Sequence, residues 1–143
     1  MTFKIFVFSV LAPFTHSVLP AAADPIQPRD GWVVIETHKG FEQLITDIKL
    51  ATKSKGMGVV TQAGPTGAAA KRGITIPGNR VIGVFNNDFA VRILETSTAA
   101  MIEAPIRFYV TENPNGQATL SYKTPSHVFA PYTDEGGADL LQL

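Results

Sequence analysis

Between Ile106 and Lys123 the chain reads IRFYVTENPNGQATLSYK, and no other stretch constrains the fold as tightly. Ile106, Phe108 and Val110 alternate with Arg107, Tyr109 and Thr111. Ala118, Leu120 and Tyr122 alternate with Gln117, Thr119 and Ser121. Alternation at period two marks half-buried strands, so these are two arms of a hairpin. The link is Asn113-Pro114-Asn115-Gly116. A two-residue Asn-Gly loop would pair Thr111 with Leu120 and set polar side chains opposite apolar ones. A three-residue loop pairs Val110 with Leu120 and Phe108 with Tyr122, which keeps one apolar face; register therefore selects it. Pro114 and Asn115 suit a type I turn, and Gly116 suits the left-handed bulge position that follows.

Upstream, the pattern alternates between strand and helix. Trp32 to His38 reads as a strand. Phe41, Leu44, Ile45, Ile48 and Ala51 fall at helical spacing, so Gly40 to Lys55 reads as an amphipathic helix with Gly56 closing it. Met57 to Gln62 is a second strand, and Gly64 to Gly73 a small, alanine-rich connection. Arg80 to Phe85 is a third strand. Asn86-Asn87-Asp88 then opens a second main helix whose apolar side is Phe89, Ala90, Ile93 and Leu94. Ser97 to Pro105 connects to the hairpin. Pro125 to Tyr132 holds a short helical turn, and residues 133–143 read as a loosely tied tail. The expected fold class is α+β: a two-layer sandwich, a mixed or antiparallel sheet of about five strands with the two main helices on one face. Residues 32–132 form the single domain, preceded by an extended leader at 24–31.

Lys4 precedes the apolar run Ile5 to Ala12, and Ala21-Ala22-Ala23 offers small residues for cleavage before Asp24. Residues 1–23 therefore read as a secretory signal peptide, and the apolar run is too short to span a bilayer. The expected location is periplasmic or secreted, with no transmembrane anchor after cleavage. Among 143 residues the chain has 12 acidic and 12 basic side chains, so removal of Lys4 leaves a net charge of about −1. No basic face points to nucleic acid. The chain has no cysteine, which excludes disulfides, thiolate metal sites and cysteine nucleophiles.

Several motifs resemble one family. Val81 to Asp88, the strand that runs through Phe85-Asn86-Asn87-Asp88 into a helix, is similar to the core of the domain of unknown function 302. Ala104-Pro105, the turn Asn113 to Gly116, Thr124-Pro125 and the first helix Phe41 to Gly56 match further parts of its pattern. The resemblance covers about Val33 to Tyr132. It implies a compact α+β fold, often in exported bacterial proteins, and no assigned activity. Asn86-Asn87-Asp88 stands where members commonly carry Gly-Asn-Pro. Many exported members carry Asp-His after the second strand, where this chain has Ala63-Gly64, and the cysteines of other members are absent here.

No catalytic constellation is legible. Glu36, Glu103 and Glu112 are isolated acids beside strands. Ser121 and Ser126 lie near His127 in sequence without a nucleophile elbow. Gly64 to Gly73 lacks the order of a phosphate loop. Two candidate sites remain. Glu36 and His38 share a strand face and, with His127, make up the donor set of a metal or haem site. Phe85, Asn87, Phe89, Tyr109 and Tyr122 are the candidate ligand-binding residues, with Trp32 and Phe108 as further aromatic lining of an apolar pocket. The leading expectation is a non-enzymatic module that self-associates or binds a partner through the hairpin's polar face. The alternatives are a binder of a small apolar ligand and a metal or haem protein using His38 and His127. The expected partners are thus a second copy of the chain or a small ligand, with no cofactor as the default.

Overall fold

The computed structural model describes residues 25–141. The signal-peptide reading of residues 1–23 lies outside them. The elements run β1 (Trp32–Gly40), α1 (Phe41–Ser54), β2 (Gly58–Ala63), α2 (Thr66–Ala70), β3 (Asn79–Phe85), α3 (Asn87–Thr96), a 3-10 turn at Ala99–Glu103, β4 (Ile106–Glu112), β5 (Gln117–Lys123), α4 (Pro125–Phe129) and α5 (Thr133–Leu141). The strands form one sheet in the order β1-β5-β4-β3-β2, and every neighbouring pair is antiparallel.

The hairpin takes the register that its sequence selects, with Phe108 opposite Tyr122 and Val110 opposite Leu120. Gly116 has φ +77°, the left-handed value that the bulge position requires. The Phe108 and Tyr122 rings meet edge to face, with centroids 5.4 Å apart.

α1 leaves β1 at one edge of the sheet and delivers the chain to β2 at the other, so it must cross the whole sheet. Its 14 residues span about 21 Å, and five strands are about 19 Å wide. The helix touches β1, β2, β4 and β5 on the way. Leu44, Ile45 and Ile48 turn inward onto Ile82, Val84, Val110 and Ala118, which forms the main core. The next inward position is Thr52 rather than Ala51; its hydroxyl donates to Ile48 O at 2.7 Å, so the burial leaves nothing unsatisfied.

β3 and β5 both run antiparallel to β4, so both finish at the same end of the sheet. The helices that follow them, α3, α4 and α5, gather there around a second core of Ile93, Ala100, Phe129 and Leu140. Residues 133–141 are thus helical and anchored by Leu140, which is fully buried. The tail reading missed this helix because its Gly136-Gly137 and acidic residues look like loop; tertiary packing of the leucine outweighs them. Ile106 packs against both cores and joins them.

The outer face of the sheet departs from expectation. Thr119 and Ser121 belong to the hairpin's polar face, yet they are 1% and 0% exposed. β5 is an inner strand, and its short side chains lie between those of β1 and β4: Ser121 between Val34 and Tyr109, Thr119 between Glu36 and Thr111. The Thr119 hydroxyl exchanges hydrogen bonds with the Asn113 amide at 2.9 and 3.2 Å. The leader also reaches this side, since Pro25 and Ile26 lie beside Tyr109 and Thr111.

Gly31 fastens the start of β1 to α4. Its φ is +73°, and a Cβ there would stand 2.0 Å from the His127 ring. Gly116 has a similar φ with nothing within 4 Å. Gly116→Ala should therefore show the conformational cost alone, about 1–2 kcal/mol, whereas Gly31→Ala must also displace α4 and should cost at least about 1 kcal/mol more. Urea unfolding of the two variants checks the difference.

Candidate functional site

α1 covers only part of the helix side of the sheet. α3 does not lie flat beside it; it packs on the 3-10 turn and on α5 beyond the strand ends. A strip of apolar sheet is left between them. It becomes a cleft of about 510 Å³. Ile35, Val84, Phe85, Phe108, Leu120 and Tyr122 come from the sheet, and Phe89, Ala90, Ile93 and Phe129 from the helices. Met57 and Pro125 also line it. Ile35 and Phe89 are 44% and 38% exposed, so the cleft opens to solvent through apolar side chains.

One side chain sets the position of α3. Asn86 is its N-cap: Oδ1 accepts from the backbone N–H of Asp88 at 2.8 Å and of Phe89 at 3.3 Å. Its Nδ2 donates to Gly56 O at 3.0 Å, which ties the start of α3 to the exit of α1. The cleft is held open by this brace on one side and by the second core on the other.

Three of the predicted ligand-binding residues, Phe85, Phe89 and Tyr122, line the cleft, as does Phe108. Asn87 does not; it is the first helical residue, and its neighbour Asn86 faces the cleft instead. Tyr109 lies on the opposite side of the sheet because strand neighbours of Phe108 and Val110 must point away from them. There it lines a hollow of about 460 Å³ with Trp32, Arg107 and Ser121, and accepts from Asn79 Nδ2 at 2.5 Å. Ile35, Met57, Leu120 and Phe129 were not named from the sequence. Their apolar character was visible, but nothing in it separates a cleft wall from a core.

The structure sets the candidate metal donors apart. His38 stands near the end of β1 beside Gln117, and His127 packs on Gly31, just before that strand begins. Seven extended residues separate those points by roughly 20 Å. Glu36 and His38 share a strand without a third donor. Among the described residues no three His, Asp or Glu side chains lie together where they could hold a metal ion.

Two perturbed groups lie away from the cleft. The Tyr132 hydroxyl donates to Glu103 Oε1 at 2.9 Å, and this bond, aided by burial, raises the phenol pKa above its usual value. Lys39 and Gln43 bond to Asp47 and hold its carboxyl below the usual range.

A single antiparallel sheet, one helix crossing it and further helices closing its end define a two-layer α+β domain. The chain belongs to the family described as domain of unknown function DUF302, whose family model matches residues 33–141. That match extends through α5. No curated protein matches the chain. Among solved structures, the chain is similar to the crystal structure of an uncharacterized conserved protein DUF302 from Bacillus stearothermophilus. The two are 17% identical, with a TM-score of 0.69 over 80% of this chain and 89% of that one. At that identity the likeness shows the fold alone.

Proposed function

We propose that this domain binds a small, largely apolar ligand in the cleft between the sheet and α3. The observation that carries the reading is the cleft itself: about 510 Å³ walled almost wholly by aliphatic and aromatic side chains. That volume falls in the range that accommodates small organic molecules. Apolar walls left in contact with water favour such a ligand by the area they lose to it. The outer sheet face supports self-association less well, since Thr119 is buried there and the leader occupies space beside Tyr109.

Titration with phenylnaphthylamine, a neutral apolar fluorophore, tests this. Saturable enhancement of its fluorescence is expected, with a rise in Tm of several degrees. Ligand at a hundred times its Kd stabilises the fold by about 2.7 kcal/mol. Ile35→Asp places a charge on a half-exposed cleft wall, so it should weaken binding at least about tenfold with little effect on folding. Absence of saturable binding, or binding indifferent to Ile35→Asp, contradicts the proposal.

A further inference from the structure

The hollow of about 460 Å³ on the outer face of the sheet differs in chemistry from the cleft. Tyr109, Ser121, Arg107, Lys123 and Glu103 line it beside Trp32. Strand register accounts for the grouping. Ser121 stands opposite Tyr109, and Trp32 stands opposite Lys123. Lys123 lies two residues after Ser121 and Arg107 two before Tyr109, so all four side chains share one face. Two like charges are thereby brought to one end of the hairpin.

Proton donors outnumber free acceptors there. Ser121 is 0% exposed, and its hydroxyl has no hydrogen-bond partner. The Tyr109 oxygen accepts from Asn79 Nδ2, which leaves the phenolic proton to be donated. The Lys123 ammonium stands 5.7 Å from the centre of the Trp32 ring, and the Arg29 guanidinium 5.1 Å from it. An aromatic ring attracts cations through its quadrupole but carries no net charge, so it neutralises neither. Among the described residues the ion pairs are Lys39–Asp47 and Glu103–Arg107, which leaves Lys123 and Arg29 without an acid. Glu103 is already committed: Oε1 accepts from the Tyr132 hydroxyl at 2.9 Å, and Oε2 stands 3.9 Å from Arg107. A carboxylate supplies what is missing, since it carries negative charge and only accepts.

We infer that the outer hollow is a second ligand site, separate from the apolar cleft, and that it takes a small organic acid. The carboxylate lies by Lys123 and Tyr109 above Ser121, and the body of the molecule lies against Trp32 and Val128. The volume exceeds that of a bare anion and falls in the range of small organic ligands. This assignment does not depend on what the cleft binds.

The test is amide NMR with a matched pair of probes, para-nitrobenzoate and its uncharged amide para-nitrobenzamide, on the protein, on Lys123→Gln and on Tyr109→Phe. Para-nitrobenzoate should move the cross-peaks of Trp32, Tyr109 and Ser121 saturably, with those of Met57 and Ile93 still. Lys123 is exposed, so Lys123→Gln should fold. It should weaken para-nitrobenzoate about fivefold, as expected for loss of one partly screened ion pair, and leave para-nitrobenzamide nearly unchanged. Tyr109→Phe keeps the ring and should weaken para-nitrobenzoate about tenfold, the effect of one hydrogen bond to a charged group. Added salt should weaken para-nitrobenzoate more than para-nitrobenzamide. Shifts confined to the cleft residues, no saturable shift at all, or para-nitrobenzoate binding indifferent to Lys123→Gln overturns the assignment.

Discussion

Ile82→Ala should cost about 4 kcal/mol of folding stability. Ile82 is fully buried, and β3 stands between β4 and β2, so neighbouring strands hold the site from both sides. Leu44, Ile45 and Ile48 belong to the same core on the helix side, and the Cα partner of Ile82 across β4 is Phe108. Truncation removes the transfer energy of the lost methyl and methylene groups and leaves a cavity that a sheet braced on two sides cannot collapse. Domains of this size have total stabilities of about 5–15 kcal/mol, so the variant should lose a large share. In urea the midpoint should fall with the slope unchanged. Ile102→Ala is the control: Ile102 is 78% exposed, and its loss should cost less than about 0.5 kcal/mol.

Phe129→Ala should be nearly as damaging, at about 3–5 kcal/mol. Phe129 is 3% exposed and is the largest side chain among the buried residues of the second core. It also forms part of the far wall of the cleft. Removing the ring should therefore loosen α5 and widen the cleft together. Because Ile106 packs on both cores, the loss should spread to the sheet and the variant should unfold in one transition. Amide exchange checks this: protection should fall in β3 as well as in α5. Exchange that rises in α5 while β3 keeps wild-type protection would show that the helical end folds as a separate unit.

The sequence carried the sheet further than the site. The hairpin register was legible because alternation and loop length constrain each other, and only one pairing leaves Phe108, Val110, Leu120 and Tyr122 on one face. α1 was legible because five apolar residues at helical spacing need a surface as long as the helix. Alternation assigns a residue to a face, however, and says nothing about exposure on that face. Thr119 and Ser121 are polar and outward yet buried, since that depends on the taller neighbours that strand order brings beside them. α5 was missed because Leu140 stands in a polar, glycine-bearing segment, and the partners it packs on, Ile93 and Phe129, come from α3 and α4.

The candidate sites divide the same way. His38 and His127 are plausible donors by residue type, but Gly31 holds His127 at the far end of the strand that carries His38. The aromatic residues were visible, whereas the gap between them was not. That gap exists because Asn86 braces α3 to Gly56 and the second core draws the helix past the strand ends. These are long-range contacts that no local pattern records.

The most direct test of the central claim is amide NMR of the protein titrated with phenylnaphthylamine, because it reports where the ligand sits as well as whether it binds. The cross-peaks of Met57, Phe85, Phe89, Ile93 and Tyr122 should move saturably and together, with those of Asn79, Tyr109 and Thr111 still. Shifts confined to the outer-face residues, or none at ligand concentrations that saturate fluorescence, would contradict an apolar binding site between the sheet and α3.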